Sequence, residues 1–156
     1  MKNLIFAFIM LLPLPAWAEL KLSDLVGNWG GQGTYAEGLS SAKLRCKLVI
    51  AGTDAMVRMT GRCGSSLGAE NLALDFVKGA DSTITVDSSA GAPQSDSPVG
   101  ALRGSSQGNQ LIIRGEGGDE TVTIELILNP DGSLRFATQR TWPGKTGTSV
   151  VTLKRR

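Results

Sequence analysis

The sequence contains no histidine. Without an imidazole, the chain cannot form a Ser–His or Cys–His nucleophilic pair, a histidine metal site or a histidine ligand to haem. Two serine pairs, Ser65-Ser66 and Ser105-Ser106, lie beside glycines in predicted turns, where a hydroxyl commonly bonds to the backbone. We therefore expect a protein that is not an enzyme and that uses no cofactor.

Aromatic residues make up only 5% of the chain. A tight apolar pocket and a sugar-binding cleft both need several aromatic walls, which this composition does not supply. Acidic side chains are the remaining candidates for metal ligands. Glu116, Asp119 and Glu120 surround two glycines and have the oxygens that Ca²⁺ prefers, but a turn rich in Gly and Asp looks the same. We expect no metal site.

The longest apolar run is confined to the N-terminal end. Lys2 precedes an apolar run over residues 4–14, and Ala16-Trp17-Ala18 forms a small-x-small cleavage site. These features are typical of a secretory signal peptide. We expect residues 1–18 to be removed and residues 19–156 to form a single periplasmic or secreted domain. No later stretch approaches the roughly 20 apolar residues of a transmembrane helix.

The predicted mature chain is nearly neutral. Removing Lys2 leaves 15 of the 16 Lys and Arg residues against 14 Asp and Glu residues, a net charge of +1. This balance gives no electrostatic reason to expect nucleic acid or an anionic membrane as a partner.

Only two cysteines occur, Cys46 and Cys63. An even count in an oxidising compartment favours a disulfide bond between them. Their separation of 17 residues argues against a redox pair, whose sulfurs are usually close in sequence at a helix start.

Alternation of apolar and polar residues predicts strands along the whole mature chain, and no segment has a capped helical period. The clearest pair covers residues 121–128 and 134–139. Between them, Asn129-Pro130-Asp131-Gly132 is a turn signal, because proline fixes φ and glycine accepts a positive φ. We predict a hairpin here.

A second hairpin is predicted from its register. Pairing Ile50 with Met59 also pairs Cys46 with Cys63, around a turn centred on Asp54 and Ala55. The apolar residues and both sulfurs then lie on one face of the sheet, whereas a slip of one residue would separate the sulfurs.

Further strands are predicted at residues 72–77, 83–86, 99–103, 110–114 and 149–154. Residues 88–98 contain two prolines and nothing more apolar than alanine, which favours a mobile loop. Short strands at this spacing predict an all-β fold, a small antiparallel up-and-down barrel of about eight to ten strands.

The segment Leu25-Val26-Gly27-Asn28-Trp29 resembles the first strand of the calycin superfamily, which includes lipocalins and avidins. In those barrels a basic side chain from the last strand packs over the indole and closes one end. The resemblance implies that Trp29 is covered by Lys154 or Arg155, and we take Arg155 as its partner. A cation over an aromatic face is a favourable contact.

A ligand site is predicted near Trp142, which lies beside the turn Pro143-Gly144. An aromatic residue there is expected at the mouth of a barrel, unless it folds back as a plug over the core. We take Trp142, Arg140, Lys145 and Tyr35 as ligand-binding residues, with the two cations placed to receive an anionic group.

We therefore expect a periplasmic barrel that binds a small apolar ligand or a protein partner, in an oligomeric state that the sequence leaves open. A bacterial exported barrel with one disulfide also resembles inhibitors of secreted metalloproteases. That resemblance implies an alternative, in which residues 19–23, ahead of the first strand, enter a protease cleft. A structural accessory of the cell envelope is a third alternative.

Overall fold

The computed structural model describes residues 19–88 and 102–156. The predicted signal peptide and the predicted loop at 88–98, apart from Ser88, lie outside the described residues. A 3-10 helix at Leu22–Leu25 precedes ten strands. The strands are β1 (Gly27–Glu37), β2 (Ser40–Gly52), β3 (Met56–Ser65), β4 (Gly68–Lys78), β5 (Ile84–Ser88), β6 (Leu102–Gln107), β7 (Gln110–Gly117), β8 (Glu120–Leu128), β9 (Leu134–Trp142) and β10 (Lys145–Arg155).

The ten strands form a closed antiparallel barrel, in which each strand pairs with the next along the chain and β1 pairs with β10. This confirms the predicted all-β, up-and-down architecture. Closure leaves no free sheet edge along the paired strands, because every strand has two neighbours. No helix in the described parts of the chain is long and apolar enough to cross a membrane.

The hairpin of β2 and β3 has the predicted register. Ile50 pairs with Met59, and Cys46 pairs with Cys63. The two cysteines form a disulfide bond with their Cα atoms 4.1 Å apart, and both are buried inside the barrel. The disulfide prediction is therefore confirmed.

The hairpin of β8 and β9 also forms as predicted, with Leu128 opposite Leu134. In its turn, the N–H of Asn129 donates to the carbonyl of Ser133 at 2.8 Å, and Gly132 has a φ of +78°. The Asp131 carboxylate accepts hydrogen bonds from the backbone and hydroxyl of Ser133, at 2.9 Å and 2.6 Å. These bonds hold the pKa of Asp131 below its ordinary value.

Glycines in β1 allow this strand to cross very close to β10. A Cβ atom at Gly31 would lie 1.9 Å from the carbonyl oxygen of Thr152, and one at Gly33 would lie 1.8 Å from that of Val150. Neither position has room for any side chain. The glycine run therefore sets the strong coiling of the sheet at the seam where the barrel closes.

Alternate residues of every strand face the barrel interior. In the half next to the 3-10 helix they form a close-packed core. The largest fully buried side chains are Trp29, Phe76, Phe136, Leu25, Leu48, Ile50, Met59, Leu111, Ile113, Leu126, Leu134 and Leu153.

The N-terminal segment closes this end of the barrel. Leu22 and Leu25, on the 3-10 helix, are buried in the core. The N–H of Leu20 donates to the carbonyl of Gly108 at 2.6 Å, and the hydroxyl of Ser106 donates to the carbonyl of Leu20 at 2.7 Å. Residues 19–25 are thus a lid that is bonded to the strands below it.

Candidate functional site

Trp29 and Arg155 meet at the closed end of the barrel. The guanidinium carbon of Arg155 lies 4.8 Å from the centroid of the indole ring. The same guanidinium donates to the carbonyls of Val26 at 2.9 Å and Asp24 at 2.7 Å. The indole N–H of Trp29 donates to the carbonyl of Leu25 at 2.8 Å. The pair therefore fastens the lid to the first and last strands.

The opposite half of the barrel has a less buried interior. Many inward-facing side chains there are half-buried, although most other inward residues of the same strands are buried. Solvent therefore reaches these side chains. We call this half the cup, and its half-buried inward side chains include Tyr35, Leu72, Leu74, Leu102, Val122, Thr138, Arg140, Trp142 and Ser149.

One wall of the cup is polar and begins at Tyr35 on β1. The Tyr35 hydroxyl donates to a carboxylate oxygen of Glu37 at 2.5 Å. The other carboxylate oxygen of Glu37 lies 3.6 Å from the ammonium of Lys145 on β10. Tyr35 and Lys145 are therefore joined through a glutamate that the sequence analysis did not identify.

The same wall continues on β8 and β9. The Arg140 guanidinium donates to Glu120 at 2.8 Å and 3.2 Å. Its carbon atom also lies 5.5 Å from the ring centroid of Trp142. Arg140 thus holds the indole against the rim of the cup.

Gly147 provides the space in which the two aromatic side chains of the cup meet. A Cβ atom at this position would lie 3.2 Å from the Trp142 ring and 3.6 Å from the Tyr35 hydroxyl. Both aromatic residues therefore pack over a bare stretch of backbone on β10. The structure brings together all four predicted ligand-binding residues, through contacts with Gly147, Glu37 and Glu120.

The charges of the cup do not favour an anion. Arg140 is paired with Glu120 and Lys145 with Glu37, so both cations already have acidic partners. Glu70, on the inward face of β4 opposite Cys63, adds a further negative charge. The prediction that the two cations receive an anionic group is therefore not supported by the geometry.

The local negative charge changes the titration of Tyr35. Its hydrogen bond to Glu37 raises the pKa of the hydroxyl above 10, and burial and the charges of Glu37 and Glu70 act in the same direction. The tyrosine thus stays protonated and remains a hydrogen-bond donor throughout the neutral range.

The other polar clusters noted in the sequence do not form a metal centre in the described residues, which contain no group of three or more His, Cys, Asp or Glu suited to one.

The pattern Gly-x-Ser-x-Gly occurs at 64–68 and 104–108, but its central serines differ from those of a nucleophile elbow. Ser66 lies in the turn between β3 and β4, and Ser106 lies on β6. Neither begins a helix, as that elbow requires.

The protease-inhibitor alternative depended on residues 19–23 being free. Leu20 and Leu22 are instead 7% and 2% exposed, and the N–H of Leu22 donates to the Asp54 carboxylate at 3.0 Å. A segment buried in its own core cannot enter a protease cleft without leaving the barrel. The alternative therefore loses the feature on which it was based.

Comparison with known proteins gives a match of fold. No protein-family model and no curated protein matches the chain. Among solved structures, an S-type phycobiliprotein lyase from Guillardia theta is similar, with a TM-score of 0.66 and 9% sequence identity over 86% of this chain and 90% of that chain. The two proteins therefore share the fold of a closed β-barrel.

This comparison contradicts the expectation that the protein is not an enzyme, because the structure with the similar barrel is named a lyase. The expectation depended on the absence of histidine. That absence excludes mechanisms that need an imidazole, but it does not exclude other catalysis in a barrel of this kind.

Proposed function

We propose that the cup binds a small ligand that is mainly apolar and is neutral or positively charged. The observation that carries this proposal is the contrast between the two halves of the barrel. Most inward-facing side chains are buried at the closed end, with Leu128 an exception, whereas many in the cup are half-buried, so we place the ligand in the cup.

The apolar wall of the cup supports the apolar character of the ligand. Leu72, Leu74, Leu102 and Val122 are partly exposed and pack against the core on their other side. A ligand that covers about 200 Å² of such surface gains roughly 5 kcal/mol from burial alone. Because association itself costs roughly 4 to 15 kcal/mol, burial of the ligand's own apolar surface and polar contacts have to add to this gain.

The polar wall supports the choice of charge. Its two cations are paired with acids, and Glu70 adds a negative charge. An anionic ligand would have to compete with Glu37 or Glu120 for Lys145 or Arg140. A neutral ligand would instead stack against Trp142 and donate a hydrogen bond to the oxygen of Tyr35 or of Glu37, because the Tyr35 proton is already donated to Glu37.

Location is part of the proposal. Residues 1–18 have the pattern of a secretory signal peptide, and the disulfide of Cys46 and Cys63 is the kind of bond that persists in an oxidising compartment. We propose that the protein acts in the periplasm or outside the cell.

A pair of dyes tests the site and its charge preference together. N-phenyl-1-naphthylamine is a neutral apolar fluorophore, and 8-anilinonaphthalene-1-sulfonate is the same ring system with a sulfonate. We expect the neutral dye to bind the mature protein more tightly, because the cup has no free cation for a sulfonate. Displacement of the bound neutral dye by an equal or lower concentration of the sulfonate dye would contradict the proposed charge preference.

Substitutions at two adjacent positions of β8 show where the neutral dye binds. Val122→Lys places a charge in the cup, whereas Thr123→Lys adds the same charge on the outer face of the same strand. We expect the first to weaken binding of the neutral dye about tenfold or more and the second to leave it unchanged. Unfolding curves establish that both variants are folded. Equal effects of the two substitutions would refute binding in the cup.

Native mass spectrometry of protein purified from its own cells then identifies a retained ligand. Incubation with that ligand, followed by mass analysis of the ligand itself, shows whether the protein only binds the molecule or also changes it chemically.

A further inference from the structure

The outer face of four neighbouring strands carries a concentration of positive charge. On β10, β1, β2 and β3 the outward-facing positions include no acidic residue. Seven exposed basic residues lie there or directly after β10, and one of them, Arg58, is paired with Asp75 on β4. The other six we call the basic face: Lys43, Arg45, Lys47, Arg62, Lys154 and Arg156.

This concentration is hidden by the near-neutral total. The described residues contain 15 Lys and Arg and 13 Asp and Glu, so the part outside the basic face has nine basic and 13 acidic residues. The barrel is therefore strongly polarised, with a positive face of +6 and a remainder of −4. The net charge of the whole domain, which gave no reason to expect an anionic partner, therefore does not describe this face.

The basic face is concave at its centre. Gly30 and Gly64 remove side chains from the middle of the sheet, and a groove of about 640 Å³ lies there. Arg45, Lys47, Arg62 and Arg156 contribute to its walls. The guanidinium of Arg156 lies directly over Gly30, where a Cβ atom would come within 2.0 Å of it.

Two of these cations are placed against each other. Lys47 on β2 is directly opposite Arg62 on β3, and like charges in directly opposed positions destabilise a sheet. None of the six residues of the basic face forms a salt bridge within the described chain. The barrel thus keeps a repulsion that its own acids do not relieve.

A second pair of directly opposed cations differs from Lys47 and Arg62, because an acidic residue acts on it. Arg103 on β6 is directly opposite Arg114 on β7, but the charge of Arg103 acts on Asp81, whose pKa is held down mainly by hydrogen bonds from Thr83 and additionally by Arg103. This pair has an acidic neighbour and does not line the groove.

We propose that the groove on the basic face binds a soluble ligand that carries two or more phosphate groups. Three arginines present planar forks that match phosphate oxygens. The cations are spread over neighbouring strands about 4.8 Å apart, so a single anion cannot reach all of them and a chain of anionic groups can. A flat membrane would touch the rims of the groove and leave its floor uncovered.

The groove on the basic face shares no side chains with the cup, because its cations face outward whereas the residues of the cup face the barrel interior. Phosphate binding can therefore succeed or fail whatever the result with the neutral dye. Sodium tripolyphosphate is a suitable probe for calorimetric titration of the mature protein. We expect saturable binding at about 20 mM salt that weakens strongly at about 150 mM, because the contacts are solvent-accessible charges.

Two double variants with the same change in charge test the position of the site. Lys47→Gln with Arg62→Gln removes two cations from the groove, and Arg103→Gln with Arg114→Gln removes two from the other opposed pair. We expect the first double variant to weaken tripolyphosphate binding about tenfold or more and the second to change it less than about twofold.

Three results would overturn the proposal. The first is the absence of tripolyphosphate binding to the folded wild-type protein. The second is an equal loss in both double variants, which would mean attraction by total charge. The third is binding to vesicles of phosphatidylcholine with phosphatidylglycerol but not to tripolyphosphate, which would make this face a membrane contact. Both double variants need unfolding curves close to that of wild type.

Discussion

Arg155 lies over the indole of Trp29, 4.8 Å from the ring centroid, and its guanidinium also bonds to the carbonyls of Asp24 and Val26. One side chain thus joins the last strand, the first strand and the 3-10 helix. These contacts cover the closed end of the barrel at the place where the first and last strands pair.

Replacing Arg155 by alanine should therefore destabilise the fold. We expect the free energy of unfolding to fall by about 1 to 2 kcal/mol. Buried charge-assisted hydrogen bonds together with a cation–π contact would give a larger loss, but the Arg155 side chain is exposed. Urea unfolding followed by tryptophan fluorescence measures this loss. Arg156→Ala is the control, and an equal loss in both variants would contradict this role.

Removing the disulfide should have a larger effect. We expect the double substitution Cys46→Ala with Cys63→Ala to lower the free energy of unfolding by about 2 to 5 kcal/mol, because the bridge restricts the unfolded chain. Unfolding of wild type under reducing conditions should give a similar loss. Two free thiols titrating in the native protein would contradict this expectation.

The register of β2 and β3 could be predicted because two independent signals agree on it. The alternation of Leu44, Cys46, Leu48 and Ile50 fixes which face is inside, and the two cysteines fix the alignment. A single slip would violate both signals at once.

The ends of strands were harder to predict, because they lack that alternation. Strand β4 begins at Gly68, four residues before the predicted start, and passes through Glu70 on its inward face. An inward acidic residue looks like a loop in sequence, but at this position it faces the cup. The strand therefore continues where the apolar pattern stops.

The candidate site was predicted only in part for a similar reason. Trp142, Arg140, Lys145 and Tyr35 stood out as aromatic and basic residues. Glu37 did not, and Glu120 stood out only as a candidate metal ligand. Glu37 lies opposite Gly147, and this register depends on barrel closure between strands that are about 110 residues apart in sequence. A local pattern carries no information about such a pairing.

The lid can be tested separately from the strands. We expect Leu22→Ala to lower the free energy of unfolding by about 2 to 4 kcal/mol, because Leu22 is 2% exposed and fills the closed end of the core. Ser23→Ala, at the next and exposed position, should change it by less than about 0.5 kcal/mol. An unchanged unfolding curve for Leu22→Ala would mean that the segment is free, as a protease inhibitor would need.

Tyr35 allows a direct titration of the cup, because it is the only tyrosine in the sequence. Its folded pKa is raised by Glu37, so the neutral hydroxyl contributes stability that is fully present below pH 10 and is lost as the pH rises through the folded pKa. Tyrosinate absorbance in the near ultraviolet should therefore give a midpoint above 10 in the folded protein. Glu37→Gln should lower that midpoint, because it removes the charge that the phenolate would face.

Glu19→Gln, an exposed change at the lid end of the chain, is the control and should leave the midpoint where it is in wild type. A wild-type midpoint at or below 10 would show that Tyr35 is not bonded to the carboxylate. An unchanged midpoint in Glu37→Gln would show that Glu37 is not the main cause of the shift. A neutral ligand that covers Tyr35 in the cup should move the midpoint further upward as it binds, because burial disfavours the charged phenolate, so the same absorbance signal also reports occupancy of the cup.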